Sequence, residues 1–188
     1  MPPMDSRDVF RNLSPLDHRY WQTNAELFER LADHLSESAS VTSELRVEAA
    51  LLEELVLHLQ PGGSTSGDAT AAVAGPGTAG GDGAAASAAT NAAEPAIPSA
   101  WTEAIRALPE RVTAAEVYAE EETTRHHVRA LVNVIQRHLP EDIRHLVHLG
   151  ATSVDVLDTA SALRYRGVVR EVLLPLLAQQ ALAATDWR

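Results

Sequence analysis

Residues 61–100 consist almost wholly of Gly, Ala, Ser, Thr and Pro, with no aromatic residue and only Asp68, Asp82 and Glu94 charged. Such a stretch buries too little apolar surface to offset the entropy of ordering it, so it reads as a flexible linker or insertion. The chain must therefore build its core from the segments on either side, and eight of its ten glycines are confined to this tract. The tract also holds a decoy. Gly75-Pro76-Gly77-Thr78-Ala79-Gly80 matches GxGxxG, but no apolar strand precedes it and no amphipathic helix opens at its end, so it does not read as a dinucleotide loop and no cofactor is expected.

The flanking segments read as helix. Leu27, Leu31 and Leu35 recur every four residues, and after the serine-rich stretch 36–43 a similar stripe continues through Leu45, Ala49, Leu52, Val56 and Leu59. Thr113-Ala114-Ala115-Glu116 has the form of a capping box, predicting a helix start. Val128, Leu131, Val132, Ile135 and Leu139 form a stripe that Pro140 terminates. From about Val154 an apolar pattern including Val156, Ala160, Leu163, Val168, Val172 and Leu176 runs to the last residue, with a kink expected at Pro175. No period-2 strand pattern accompanies these, so the expected fold class is all-α, divided as 1–60 helical, 61–100 linker, 101–152 helical with two motifs, and 153–188 the start of a long bundle helix. That helix carries no C-cap signal, and it is expected to belong to a bundle completed by another chain or by further sequence.

Composition narrows the function. All fifteen cationic residues are arginine and the net charge is −11; with the linker set aside, acids still exceed arginines by eight. Net acidity without a basic stripe argues against a nucleic-acid partner. With no cysteine there is no disulfide scaffold, thiolate nucleophile or thiolate metal site, and with no lysine there is no phosphate loop ending in Gly-Lys-Ser/Thr. The acidic N-terminus lacks a signal-peptide core and no uninterrupted apolar run approaches the ~18–20 residues of a membrane span, so a cytoplasmic chain without membrane partners is expected.

Two clusters carry candidate chemistry. In His148-Leu149-Gly150-Ala151-Thr152-Ser153, followed by Asp155, a tight turn opens a helix, where free amides and hydroxyls favour an anion. The competing reading is that Thr152 simply caps the helix with Asp155 as its reciprocal partner, and spacing alone favours the cap. In Glu121-Glu122-Thr123-Thr124-Arg125-His126-His127-Val128, Thr124 is the expected N-cap, which would put Arg125, His126 and His127 in the first turn. Cations there are disfavoured by ~0.3–1 kcal/mol each, unless an anionic ligand or the upstream glutamates compensate. His126, His127, His145 and His148 form two close pairs, but without HExxH or thiolates no metal site is expected.

Ser14-Pro15-Leu16-Asp17-His18-Arg19-Tyr20, Glu122-Thr123-Thr124-Arg125-His126-His127-Val128, and His148-Leu149-Gly150-Ala151-Thr152-Ser153 with Asp155 and Asp158-Thr159 resemble, in order, three segments of adenylosuccinate lyase, a member of the fumarase/aspartase superfamily. Leu174-Pro175 resembles a dipeptide of the helix that follows. The resemblance implies the N-terminal helical domain of a fumarase/aspartase-like fold plus the start of a long bundle helix. It implies that Arg19, Tyr20, Arg125, His126, His127, His148, Thr152 and Ser153 line a site for adenylosuccinate, from which fumarate is released by β-elimination in purine nucleotide synthesis. A homotetramer, or a complementing chain, is the implied assembly.

This chain departs from the family at His127, where the family carries Asp. No catalytic residue is assigned here, because the family's acid lies in a later Thr-His segment and its base in a serine loop whose usual form contains lysine. The chain is thus expected to be a substrate-binding portion, inactive alone. Two alternatives stand beside it. One is another superfamily lyase or a carboxymuconate cycloisomerase-like protein, which shares the Gly-Ala-Thr-Ser-x-Asp-Val-x-Asp-Thr stretch. The other is a non-enzymatic helical interaction module.

Overall fold

The computed structural model describes residues 8–13, 24–59 and 97–185. The linker apart from its last four residues, and the segment holding Arg19 and Tyr20, lie outside these. The fold is all-α: no strand occurs among the described residues. After a short 3-10 turn at Val9–Arg11 come α1 (Ala25–Leu35), α2 (Glu37–Leu59), α3 (Ser99–Arg106), α4 (Leu108–Arg111), α5 (Ala114–Thr124) and α6 (His127–His138). A 3-10 turn at Glu141–Leu146 leads to α7 (Ser153–Gly167), which passes through a π-helical segment (Val168–Leu173) into α8 (Leu174–Thr185).

The core forms around α2, which packs against α1 and every helix from α3 to α7. Val41, Leu45, Leu52 and Val56 meet the Val128, Leu131, Val132 and Ile135 stripe of α6, with Ile105, Leu108, Val117 and Ile143 closing the sides. Leu45, Leu131 and Ile135 are 0% exposed, and complete burial of such a side chain stabilises by ~1.5–3 kcal/mol. The expected α6 stripe is thus the one the core uses.

The serine-rich stretch 36–43 is not a break. Only Ser36 leaves the helix, with extended backbone, and α2 begins at the next residue. Ser36 serves both sides of the corner: its hydroxyl donates to Ala32 O at 2.6 Å and accepts from Ala39 N at 3.3 Å, ending one helix and capping the next. Arg164 of α7 completes the corner, donating to His34 O at 2.8 Å, Leu35 O at 2.9 Å and Ser40 Oγ at 2.8 Å. Two of these acceptors are terminal carbonyls that α1 itself cannot satisfy. Close by, α1 presses on Gly167, where an added Cβ would lie 2.5 Å from His34 Nδ1.

Pro175, where a kink was expected, lies in the first turn of α8, directly after the π-helical segment. In α-helical register its missing N–H deprives Glu171 O, and Arg30 Nη2 donates to that oxygen at 2.6 Å. The preceding turns widen into the π segment, and helix resumes at Leu174. The rod Ser153–Thr185 is long and apolar enough, by length and composition, to cross a bilayer, although polar residues interrupt its apolar positions. It packs through Val156, Ala160, Val168 and Val172, while Val169, Leu173, Leu174, Leu177 and Leu182 are exposed.

Candidate functional site

Two glutamates sit on the face of α2 that enters the core: Glu44 is 2% exposed and Glu48 is 1% exposed. An ionised carboxylate at such depth must be paired, and each is paired with a histidine from one of the two sequence clusters.

Glu44 Oε2 lies 2.7 Å from His127 Nε2, and His127 Nδ1 lies 3.1 Å from Glu121 Oε2. With a carboxylate at each ring nitrogen, the imidazole carries both protons. The hydrogen bond to Glu44 is the main force holding its pKa up, at about 9, against the opposing effect of burial. Ser40 donates to Glu44 Oε1 at 3.0 Å and Arg164 donates to Ser40, so one network runs from α7 through α2 to α6. Tyr118 stacks on Phe10 at 5.4 Å and tilts against His127 at 5.7 Å. Its hydroxyl donates to Glu37, and burial first, then that carboxylate, push the phenol's pKa up.

Glu48 Oε1 lies 2.7 Å from His148 Nδ1, while its Oε2 is buried without a partner. Burial pushes this carboxyl's pKa up and the bond to His148 opposes the shift. His148 adopts φ +63° and Gly150 φ +78°. A glycine takes such a conformation freely, whereas it is uncommon for other residues, histidine being among those that adopt it more readily.

The His148 ring borders a cavity of about 610 Å³, lined also by His126, Arg129, Gln136, His145, Gly150 and Ser153 over a floor that includes Val128, Val132 and Val147. The first turns of α6 and α7 both open onto it, so two helix N-termini add their positive ends to Arg129. His126 is the N-cap of α6, its Nδ1 accepting from Arg129 N at 3.2 Å. That bond leaves Nε2 as the proton-bearing nitrogen. Donors thus predominate around the cavity, which suits a carboxylate or phosphate.

The structure brings His126, His148 and Ser153 together at this cavity and places Arg125, His127 and Thr152 elsewhere. Thr124 is not the N-cap of α6. It is the last residue of α5, and Arg125 follows as an exposed left-handed C-cap with φ +54°. The cap passes to His126 because the chain must reverse between the two helices. His127 is taken up by Glu44 and Glu121. Thr152 serves the cap: its N–H and hydroxyl each donate to Asp155 Oδ2 at 2.8 Å. These bonds, the backbone one first, hold the Asp155 carboxyl below its usual pKa, with a smaller contribution from nearby His148. Arg19 and Tyr20 lie outside the described residues. Among the described residues no group of three His, Asp or Glu is disposed to hold a metal.

Sequence reasoning passed over Arg129, Gln136, Glu44 and Glu48, and weighed His145 only as a metal ligand. The two glutamates had a signal, since positions 44 and 48 fall between Val41, Leu45 and Leu52 on the apolar face of α2. No protein-family model matches the chain, and no curated protein matches it.

Proposed function

We propose that this chain supplies part of the substrate site of an adenylosuccinate lyase-like enzyme, holding anionic groups of adenylosuccinate while fumarate is eliminated. The single observation behind this reading is the cavity that gathers His126, Arg129, His148 and Ser153 from two clusters distant in sequence. Abstracting a proton beside a carboxylate builds charge on that carboxylate, and helix N-termini with imidazole donors are suited to stabilising it. The reaction also needs an acid and a base. The family segments that would provide them are not among these 188 residues, so elimination would draw them from other chain segments or a second chain in an oligomer.

The test is titration of AMP and adenylosuccinate onto the isotopically labelled chain, with fumarate release followed in parallel. Shifts centred on His126, Arg129, His148 and Ser153 without turnover are expected. Absence of nucleotide binding would refute the reading, and turnover at an enzymic rate would refute the assignment of acid and base elsewhere. A second reading, a helical interaction module, is favoured by the exposed leucines of the rod, and a chain that binds no nucleotide would favour it.

A further inference from the structure

Glu48 lies far from both sequence clusters and does not border the cavity, yet it is the deepest charged residue described, 1% exposed, and its one polar contact is to a cavity histidine. We propose that Glu48 is a positioning residue: it fixes the ring of His148 through Nδ1, so that Nε2 is the nitrogen presented to an anionic ligand in the cavity. This rests on the cavity being a ligand site, as proposed above, but not on the ligand being adenylosuccinate.

Two independent observations support it. The His148 backbone sits at φ +63°, an uncommon conformation for a residue other than glycine, so the turn that carries the ring has a defined local geometry. A core stabilised by packing alone would place a leucine at position 48, since one carboxylate oxygen there has no partner; the buried acid is therefore retained at a cost that its hold on His148 accounts for. With Glu48 ionised, a neutral His148 carries its proton on Nδ1 and offers the Nε2 lone pair. A protonated His148 offers Nε2–H, the form an anion selects. The charged and titratable groups around the ring are Glu48 from α2, Asp155 from α7, His126 and Arg129 from α6, and His145 from the 3-10 turn.

The test uses the full chain labelled with 15N-histidine, a His148→Gln variant to assign the ring, and inorganic phosphate as the probe. In the unmodified chain at high pH, neutral His148 is expected as the Nδ1–H tautomer. The reverse tautomer would overturn the proposal without any variant being made. Glu48→Leu, which keeps the volume and removes the acceptor, is expected to release that tautomer and weaken phosphate binding about tenfold, the loss of one charge-assisted hydrogen bond. Glu48→Gln keeps an acceptor and is expected to fall between. A purely structural Glu48 would leave phosphate affinity unchanged in Glu48→Leu, and that result overturns the proposal. If the tautomer and phosphate results hold while AMP and adenylosuccinate fail to bind, the lyase reading falls and the role of Glu48 stands.

Discussion

The proton on His127 makes a prediction that separates this packing from an incidental surface contact. The ring is 24% exposed and contacts Glu44, whose side chain is 3% exposed, and Glu121. Folding raises its pKa from 6.5 to about 9. Between those values the native state holds a proton that the unfolded state has released, so stability falls as pH rises, by up to ~1.4 kcal/mol per pH unit for one group. The contribution is fully present below pH 6.5 and is lost as pH passes through about 9. Taken at face value the shift corresponds to roughly 3 kcal/mol, and the partial exposure of the ring and Glu121 brings the expectation to about 2 kcal/mol.

The assay is urea unfolding from pH 6 to 9.5, comparing the natural chain with a Glu44→Gln/His127→Gln variant, which keeps hydrogen-bonding groups at both positions but removes the titrating ring and its buried partner. The window stays below the range in which Tyr118 ionises. The natural chain should lose about 2 kcal/mol more than the variant across it. Parallel profiles would show that His127 does not carry the extra proton, and the account of why a histidine stands at the start of α6 would fail.

Two further outcomes concern the corner between α1 and α2. Arg164→Met keeps much of the stem but removes three donors, and should lower unfolding free energy by about 2–3 kcal/mol in thermal or urea melts, with Arg164→Lys recovering only part; a loss below 0.5 kcal/mol would count against the clamp. Ser36→Ala leaves the Ala39 amide without its side-chain partner and Ala32 O with the Ser36 N–H but no hydroxyl, and should cost about 1–2 kcal/mol, whereas Ser38→Ala, two residues on, serves as the control in the same melts.

Much of the helical layout was legible because 3.6-residue apolar spacing marks a buried face directly: Val128, Leu131, Val132, Ile135 and Leu139 all proved buried. The Thr113–Glu116 box was legible because both halves of a cap lie within four residues, and both bonds form, at 2.9 and 3.3 Å. Where the sequence misled, the deciding partner was far away. The serine-rich run carried no clear apolar stripe, and it is Arg164 and the α2 packing that hold residues 37–43 in helix. A threonine before a stripe looked like a cap, yet the reversal at Arg125 gave that role to His126. His126, His148 and Ser153, which line the cavity, were singled out through the resemblance of their segments, while Glu44 and Glu48 acquire meaning only when histidines 83 and 100 residues later arrive beside them.

The arrangement of Glu44 and Glu48 has a metrical consequence. Both belong to one unbroken helix, and four residues of α-helix advance about 6 Å. The offset between the anchor points of His127 and His148 is therefore fixed by helical rise, independently of α6, the 3-10 turn and the connecting residues that separate the two histidines along the chain. Substitutions in that connection can change its path without changing the interval at which its ends are tied down, whereas one residue inserted between Glu44 and Glu48 would turn one anchor by about 100° relative to the other. In this sense α2 is the ruler that sets the interval between the two histidine anchors.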